Sequence, residues 1–252
     1  AYRSLWLNPA PLSGATAAEQ TSALLNEAER QIRRQGGTLR DNLLRTWFFV
    51  PDIDTDYTAL VGVRRALFES RGLNSETHFV TSTGIGADRA SGAEGIVLNA
   101  LAQMGVDSEQ IRYLNAPDHM CPAHNYGVTF ERGTAVVYAD RTHLHISGTA
   151  SIDSHGRVLY VGDPKRQAER MVQNVHALLI AGGADLDDLR QATVYLRRGE
   201  DAEPVAEVLH QRLPEHLPRL MVRGAVCRPQ WLVEMEATAI VPRGDRHFAA
   251  FG

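Results

Sequence analysis

Glu234 and Glu236 are the residues whose type and spacing point most directly to chemistry. From 232 to 241 the chain alternates with period two. Leu232, Glu234, Glu236, Thr238 and Ile240 share one face of a predicted strand, and Val233, Met235, Ala237, Ala239 and Val241 share the opposite, core-facing side. Two such glutamates lie roughly 6.5–7 Å apart along the strand. Strands are depleted in glutamate, so a pair on one face needs a reason. Burial or a like charge nearby keeps one carboxyl protonated at neutral pH, and a neutral carboxylic acid can deliver a proton to a reacting atom. The plainer alternative is a surface face whose glutamates pair with arginines.

Arg219, Arg223 and Arg228 precede the pair, and Arg132 lies in the run Phe130-Glu131-Arg132-Gly133. A guanidinium can grip a substrate carboxylate with two parallel hydrogen bonds, whereas an arginine on a strand edge is commonly just solvated charge. Tyr126 could donate a hydrogen bond to a substrate carboxylate or sit in the core. Cys227 stands beside Arg228, and a neighbouring cation can lower a thiol's pKa. No histidine is tied to Cys227 by spacing, so it makes a weak nucleophile. His119, Cys121 and His124, with His143 and His145, fit no compact metal motif, so no metal is expected. Thr83-Gly84-Ile85-Gly86-Ala87 lacks a nucleotide fingerprint and predicts a turn that brings backbone amides near a ligand.

These residues must be positioned by a mixed set of elements. Residues 1–15 predict an extended arm. Thr16 with Glu19 has capping-box spacing, Leu24, Leu25, Ala28 and Ile32 follow at helical intervals, and Gly36-Gly37 ends the helix. A strand over 46–50, a helix over 57–70, and strands over 79–85 and 95–101 come next. The second half predicts strands at 128–132 and 134–138, a hairpin of 143–152 with 158–161, and a helix over 164–181 ended by Gly182-Gly183. A strand ending at Leu196, a helix over 205–213 and two strands joined by a turn at 227–230 complete it.

The order repeats. Gly36-Gly37 matches Gly182-Gly183, Asp41 matches Asp187, and the strands 46–50 and 192–196 follow in step. Two copies of one α+β unit, divided as 1–117 and 118–252, is the economical reading. The first copy is degenerate and lacks the opening hairpin, unless residues 1–15 replace it. Setting Val97 against Val233 puts Leu98 opposite Glu234 and Ala100 opposite Glu236. A pair required by the fold alone should occur twice, so its presence in one copy favours chemistry there.

The totals narrow the class. The 252 residues carry a net charge of −4, with no Lys/Arg-rich run, which argues against a general nucleic-acid binder. No apolar stretch is long enough to span a membrane, and the start lacks a signal-peptide pattern. Two cysteines make a disulfide framework unexpected. The expected location is cytoplasmic, with a small-molecule partner and neither nucleic acid nor membrane.

The second half resembles the Rid (YjgF-like) family. The resemblance rests on Ser147-Gly148, Asp153, Gly156, Gln167 and Asn174, Gly182-Gly183-Ala184, Thr193-Val194-Tyr195-Leu196, and Arg219 followed at family spacing by Val233-Glu234-Met235-Glu236-Ala237. Across both halves the chain is similar to the chorismatase branch of that family. The motifs are Arg45-Thr46-Trp47, Pro51-Asp52-Ile53-Asp54, Thr83-Gly84-Ile85-Gly86, Asn115-Ala116-Pro117 with His119-Met120, Tyr126 to Gly133, Ile146 to Ile152, and Cys227-Arg228-Pro229.

The resemblance implies an α+β fold of tandem Rid-like (chorismate-mutase-like) units, each a mixed sheet with helices on one face. It implies release of pyruvate from the enol ether of chorismate, giving a hydroxybenzoate or a dihydroxycyclohexadiene carboxylate, with no cofactor. Glu234 would be the acid, with Glu236 and Cys227 beside it. Arg219, Arg132, Arg228, Arg223 and Tyr126 would bind the substrate carboxylates, and the cysteine would steer toward 3-hydroxybenzoate. A Rid-type hydrolase of enamines or imines, or a metabolite-binding Rid protein without turnover, are the other implied activities. Two assemblies stay open: a trimer with clefts between subunits, or a monomer with a cleft between its own halves.

Overall fold

Thr16 starts the first helix as its spacing predicts. Its hydroxyl accepts from the Glu19 amide at 3.3 Å, and the Glu19 carboxylate accepts from the Thr16 amide at 2.9 Å. The helix, Ala17–Arg34 (α1), buries Leu24, Leu25, Ala28 and Ile32. The computed structural model describes residues 2–12, 14–87, 95–123 and 127–252. Ahead of α1, the expected arm contains a strand, Arg3–Leu7 (β1). After it come a short helix, Leu39–Asn42 (α2), a strand, Leu43–Val50 (β2), and a helix, Ile53–Ser70 (α3), which begins earlier than the expected residue 57. Thr81–Gly86 (β3) and Val97–Met104 (β4) complete the unit. The sheet order is β1-β4-β2-β3, with only β2 and β3 parallel. The predicted glycine-rich turn is therefore strand β3: its alternate side chains are needed on both faces of this sheet.

The second sheet contains Ile111–Leu114 (β5), Gly133–Val137 (β6), Thr142–Ala150 (β7), Leu189–Leu196 (β8), Arg219–Arg223 (β9) and Val233–Val241 (β10), in the order β5-β6-β7-β10-β8-β9. Pro164–Ala181 (α4) and Ala202–Arg212 (α5) accompany it. β5 joins this sheet although it precedes residue 118. Its four strands β7-β10-β8-β9 repeat β1-β4-β2-β3, including the single parallel pair at the end. β1 thus takes the place of the missing opening hairpin with one strand. The two sheets are the tandem α+β units.

Three expected elements differ. Residues 128–132 form no strand of their own sheet. Glu131 is held by the other unit instead, its amide donating to the Val80 carbonyl at 3.1 Å and its carboxylate accepting from the Phe79 amide at 2.8 Å. The hairpin of 143–152 with 158–161 shrinks to one bridge between Ile152 and Val158. The Asp153 carboxylate takes the amides of His155 and Arg157, both at 2.9 Å, and folds the chain into a tight turn. β9 and β10 are not hairpin partners either, because β8 lies between them. β8, α5 and β9 form a parallel βαβ unit, which places β9 beyond β8.

Each sheet packs helices on one face only. α1 and α3 cover Phe48, Val50, Leu98 and Ala100, whereas α4 and α5 cover Val194, Leu196, Val233 and Met235. The other faces meet each other. Thr81 and Thr134 hydroxyls lie 2.6 Å apart, the Ser82 amide donates to Ser147 Oγ at 2.9 Å, and the Gly148 amide donates to Thr83 Oγ1 at 3.0 Å.

This layering corrects the alignment of the two copies. Leu98 belongs to its helix-facing core, whereas Glu234 faces the other sheet, so they cannot be equivalent. A one-residue slip moves every side chain to the opposite face of a strand. Strand register makes Val97 and Asn99 the counterparts of Glu234 and Glu236. The first copy still lacks both carboxylates.

Candidate active site

A cavity of about 160 Å³ opens between the two sheets, and Glu234 lies on its wall. Both units contribute. Tyr57 and Arg64 come from α3, Gly84 from β3, Gly148 and Ala150 from β7, and Cys227, Arg228 and Trp231 from the connection between β9 and β10. Arg132 enters just ahead of β6.

Glu234 is only 4% exposed. Burial, reinforced by the charge of Glu236 and opposed by that of Arg132, pushes its pKa up to about 8. The carboxyl is therefore protonated at neutral pH, the state a general acid needs. Gly148 makes room for it: a Cβ there would collide with Glu234 Oε1 and lie 2.8 Å from the carboxyl carbon.

Glu236, 8% exposed, shares the strand face but does not line the cavity. Its Oε2 accepts from Arg45 Nη2 at 2.9 Å. Its Oε1 accepts from Trp47 Nε1 at 3.0 Å and from the Tyr195 hydroxyl at 3.1 Å. Burial and the Glu236 charge push the Tyr195 phenol well above its ordinary range, so it remains a donor. The two carboxylates on one strand thus have opposite surroundings.

Cys227 is half-buried in the cavity wall. Burial and the Glu234 charge push its thiol up to about 12, outweighing a hydrogen bond from Tyr57 and the charge of Arg228. The lowering by Arg228 expected from the sequence loses to burial. Arg228 is pinned at the cavity edge, its Nη1 donating to the Gly156 carbonyl at 3.0 Å and its guanidinium stacked 4.7 Å over the Trp231 ring. Arg132 is buried and donates from Nε and Nη2 to the Cys121 carbonyl, at 3.2 and 2.9 Å.

The structure therefore brings together Glu234, Cys227, Arg132 and Arg228, with Glu236 immediately behind. It does not bring Arg219 or Arg223 to that cavity. Arg219 sits on edge strand β9 and donates to the Pro214 carbonyl at 3.3 Å. Arg223, further along β9, lines a separate cavity with Asp54 and Arg197. Both are displaced because β9 lies two strands away from β10. Tyr126 and His124 lie outside the described residues. Among those residues no three His, Cys, Asp or Glu side chains gather as a metal site.

Sequence reasoning did not find Arg64, Arg45, Trp47 or Tyr195 as functional residues. Arg64 is a buried cation in a helix, its Nε donating to Thr129 Oγ1 at 2.9 Å and its Nη1 to Ser82 Oγ at 3.1 Å. A charged residue on the apolar stripe of α3 is the one local signal that could have marked it.

Residues 132–241 match the model of the family described as Endoribonuclease L-PSP. A RutC family protein of Pyrococcus abyssi is 33% identical over 97 residues, covering 38% of this chain and 76% of that protein. Two Streptomyces hygroscopicus proteins match across both units. The 3-hydroxybenzoate synthase is 27% identical over 79% of this chain and 64% of its own length. The chorismatase is 28% identical over 87% of this chain and 67% of its own length. This chain thus spans about two thirds of each. A chorismatase crystal structure superposes with a TM-score of 0.79 at 26% identity, covering 94% of this chain and 74% of that one. No helix among the described residues is long and apolar enough to cross a membrane.

Proposed function

We propose that this chain, which belongs to the Rid (L-PSP) family and to its chorismatase branch, releases pyruvate from the enol ether of chorismate. The observation that carries the reading is a carboxyl held protonated at neutral pH in a cavity that three guanidinium groups also line. Chorismate offers two carboxylates and an enol ether whose terminal methylene carbon accepts a proton. Arg132, Arg228 and Arg64 supply the positive field that draws a dianion in. Glu234 gives its proton to the methylene carbon, which leaves an oxocarbenium ion at the ether carbon. Water adds there, the hemiketal collapses with cleavage of the bond to the ring oxygen, and pyruvate departs with a dihydroxycyclohexadiene carboxylate. The net reaction consumes one water. If the ring instead loses water as it aromatises, the products are pyruvate and a hydroxybenzoate, with no net water consumed. The Glu234 carboxylate regains its proton from solvent.

Imine hydrolysis of the general Rid kind would use Arg219 as carboxylate anchor beside Glu234. The position of Arg219 on β9, away from the cavity, favours the chorismate reading. The test is pyruvate release from chorismate by the purified chain, with Glu234→Gln alongside. Release by the parent that falls at least about a hundredfold in the variant is expected. No release by the parent overturns the reading; ammonia released from a 2-imino acid then identifies imine hydrolysis, and binding without turnover identifies a metabolite-binding protein.

A further inference from the structure

We infer that Arg45 and Trp47 of the first unit, with Tyr195 of the second, are positioning residues: they fix Glu236 as the permanent anion of the carboxylate pair and leave Glu234 to carry the proton. The inference deepens the proposed function and rests on it for its catalytic meaning. Its basis is an asymmetry in geometry. Glu236 receives three donors, one of them cationic, at 2.9, 3.0 and 3.1 Å. Among the described residues no donor meets the Glu234 carboxylate within hydrogen-bond distance. Donors and an opposite charge favour the ionised form, and burial without them favours the neutral one. None of Arg45, Trp47 and Tyr195 lines the cavity, so their effect on a substrate must pass through Glu236.

Arg45 is itself held for the task. It is 2% exposed, its Nη1 donates to the Ile146 carbonyl at 2.7 Å, and its guanidinium stacks 4.7 Å over the Trp47 ring. A buried cation needs an anion, and among the described residues Glu236 is the one within reach. The first unit, without a carboxylate pair of its own, thereby sets the protonation of the pair in the second.

The titratable and charged groups packed about the pair are Arg45 on β2, His145 on β7, Tyr195 on β8, Arg132 ahead of β6, and Cys227 after β9. Arg64 and Arg228 lie further along the cavity wall. His145 stays neutral, pushed down to about 3 by burial and then by Arg45, so it does not titrate in the working range.

The competent form has Glu234 protonated and Glu236 ionised. Acid removes it by protonating Glu236, and alkali by ionising Glu234. Loss of a donor to Glu236 therefore raises the acid limb of the pH profile and leaves the alkaline limb in place. A purely structural role would lower activity evenly across pH.

The experiment follows carboxyl protonation directly, by infrared carbonyl bands of the full chain across pH, with kcat/KM for pyruvate release recorded beside it. Glu234→Gln and Glu236→Gln assign the bands. In the parent, the buried acid band that disappears near pH 8 should be lost in Glu234→Gln. In Trp47→Phe and Tyr195→Phe, the Glu236 acid band should persist to a higher pH than in the parent, and the acid limb should move with it. Arg45→Met should move both further, and Arg45→Lys should restore part of the shift. The two conservative aromatic variants keep the test open if the Arg45 variants fail to fold. A Glu236 band that titrates at the same pH in the parent and the aromatic variants overturns the inference. The infrared readout needs no substrate, so absence of pyruvate would count against the proposed function alone.

Discussion

Trp47 and Tyr195 donate to the same oxygen, Oε1 of Glu236, from β2 and β8, the strands that hold the same place in the two repeats. Trp47 lies on β2 opposite Asn99, and Tyr195 lies on β8 opposite Glu234. With Val50 matching Leu196, Trp47 corresponds to Thr193 and Tyr195 to Phe49, so the two donors stand two residues apart on matching strands. The duplication brings matching strands face to face, and their inward side chains converge on one carboxylate. Arg45, two residues before Trp47, closes the clamp on the other oxygen. The fold thus turns a repeated strand into two halves of one receptor for an anion.

The raised pKa of Glu234 has a consequence for stability as well as for rate. In the unfolded chain a glutamate titrates near 4.5, and in the fold Glu234 titrates near 8. Between those values the folded state keeps a proton that the unfolded state has lost, so this group's contribution falls as pH rises from about 4.5 to about 8. The loss is on the order of a few kcal/mol. Glu234→Gln abolishes it. Urea unfolding at pH 5 and pH 9 is expected to show a larger drop for the parent than for the variant. Equal drops would mean that Glu234 is not the buried acid.

Much of this frame is legible in local sequence, and the exceptions share a physical cause. The capping box at Thr16, the helix over 164–181 and the alternation around Glu234 depend on neighbours a few residues apart, and they appear as read. The match of Arg219 to Glu234 is a spacing along the chain. Spacing does not say which cleft a strand faces, and β8 inserted between β9 and β10 separates the two in space. The partners of Glu236 lie 191, 189 and 41 residues away. No periodicity reports such contacts. The alignment of the repeats slipped by one residue because Val97 and Val233 look alike, whereas strand register sets Val97 against Glu234 and Leu98 against Met235.

Gly148 is predicted to be intolerant of even one methyl group. A Cβ would approach the Glu234 carboxyl carbon to 2.8 Å and Thr83 Cγ2 to 3.1 Å. Overpacking of this kind costs about 1–3 kcal/mol, and the side chain that must yield is the acid. Gly148→Ala should fold with a thermal midpoint lowered by several degrees, and should lose pyruvate release by about tenfold or more. Full activity in Gly148→Ala would show that Glu234 need not keep its present place.

The arginines separate by position. Arg219 is half-exposed and among the described residues holds only the Pro214 carbonyl, so Arg219→Ala should leave kcat/KM within about twofold. Arg228 lines the cavity, and Arg228→Ala should raise KM about tenfold or more through loss of a charge-assisted contact, with a smaller effect on kcat. Steady-state kinetics on both variants decide the matter. A loss in Arg219→Ala equal to that in Arg228→Ala would move the carboxylate anchor to β9 and revive the imine reading.

Cys227 is expected to act as a thiol and not as a thiolate. With its pKa pushed up to about 12, almost none is ionised at neutral pH, so alkylation by iodoacetamide should be slower than for a free cysteine. In the proposed reaction, pyruvate release depends on the Glu234 proton reaching the enol carbon. On that reading the fate of the ring is decided after the transfer, in the cavity that Cys227 also lines. Cys227→Ala should accordingly keep pyruvate release within about tenfold of the parent while changing the proportion of hydroxybenzoate to diene acid. The aromatic absorbance of the product measures the ratio, and coupled pyruvate detection measures the rate. If Cys227→Ala instead lost pyruvate release as fully as Glu234→Gln, the thiol would have to take part in cleaving the ether, and a single-acid mechanism would no longer suffice.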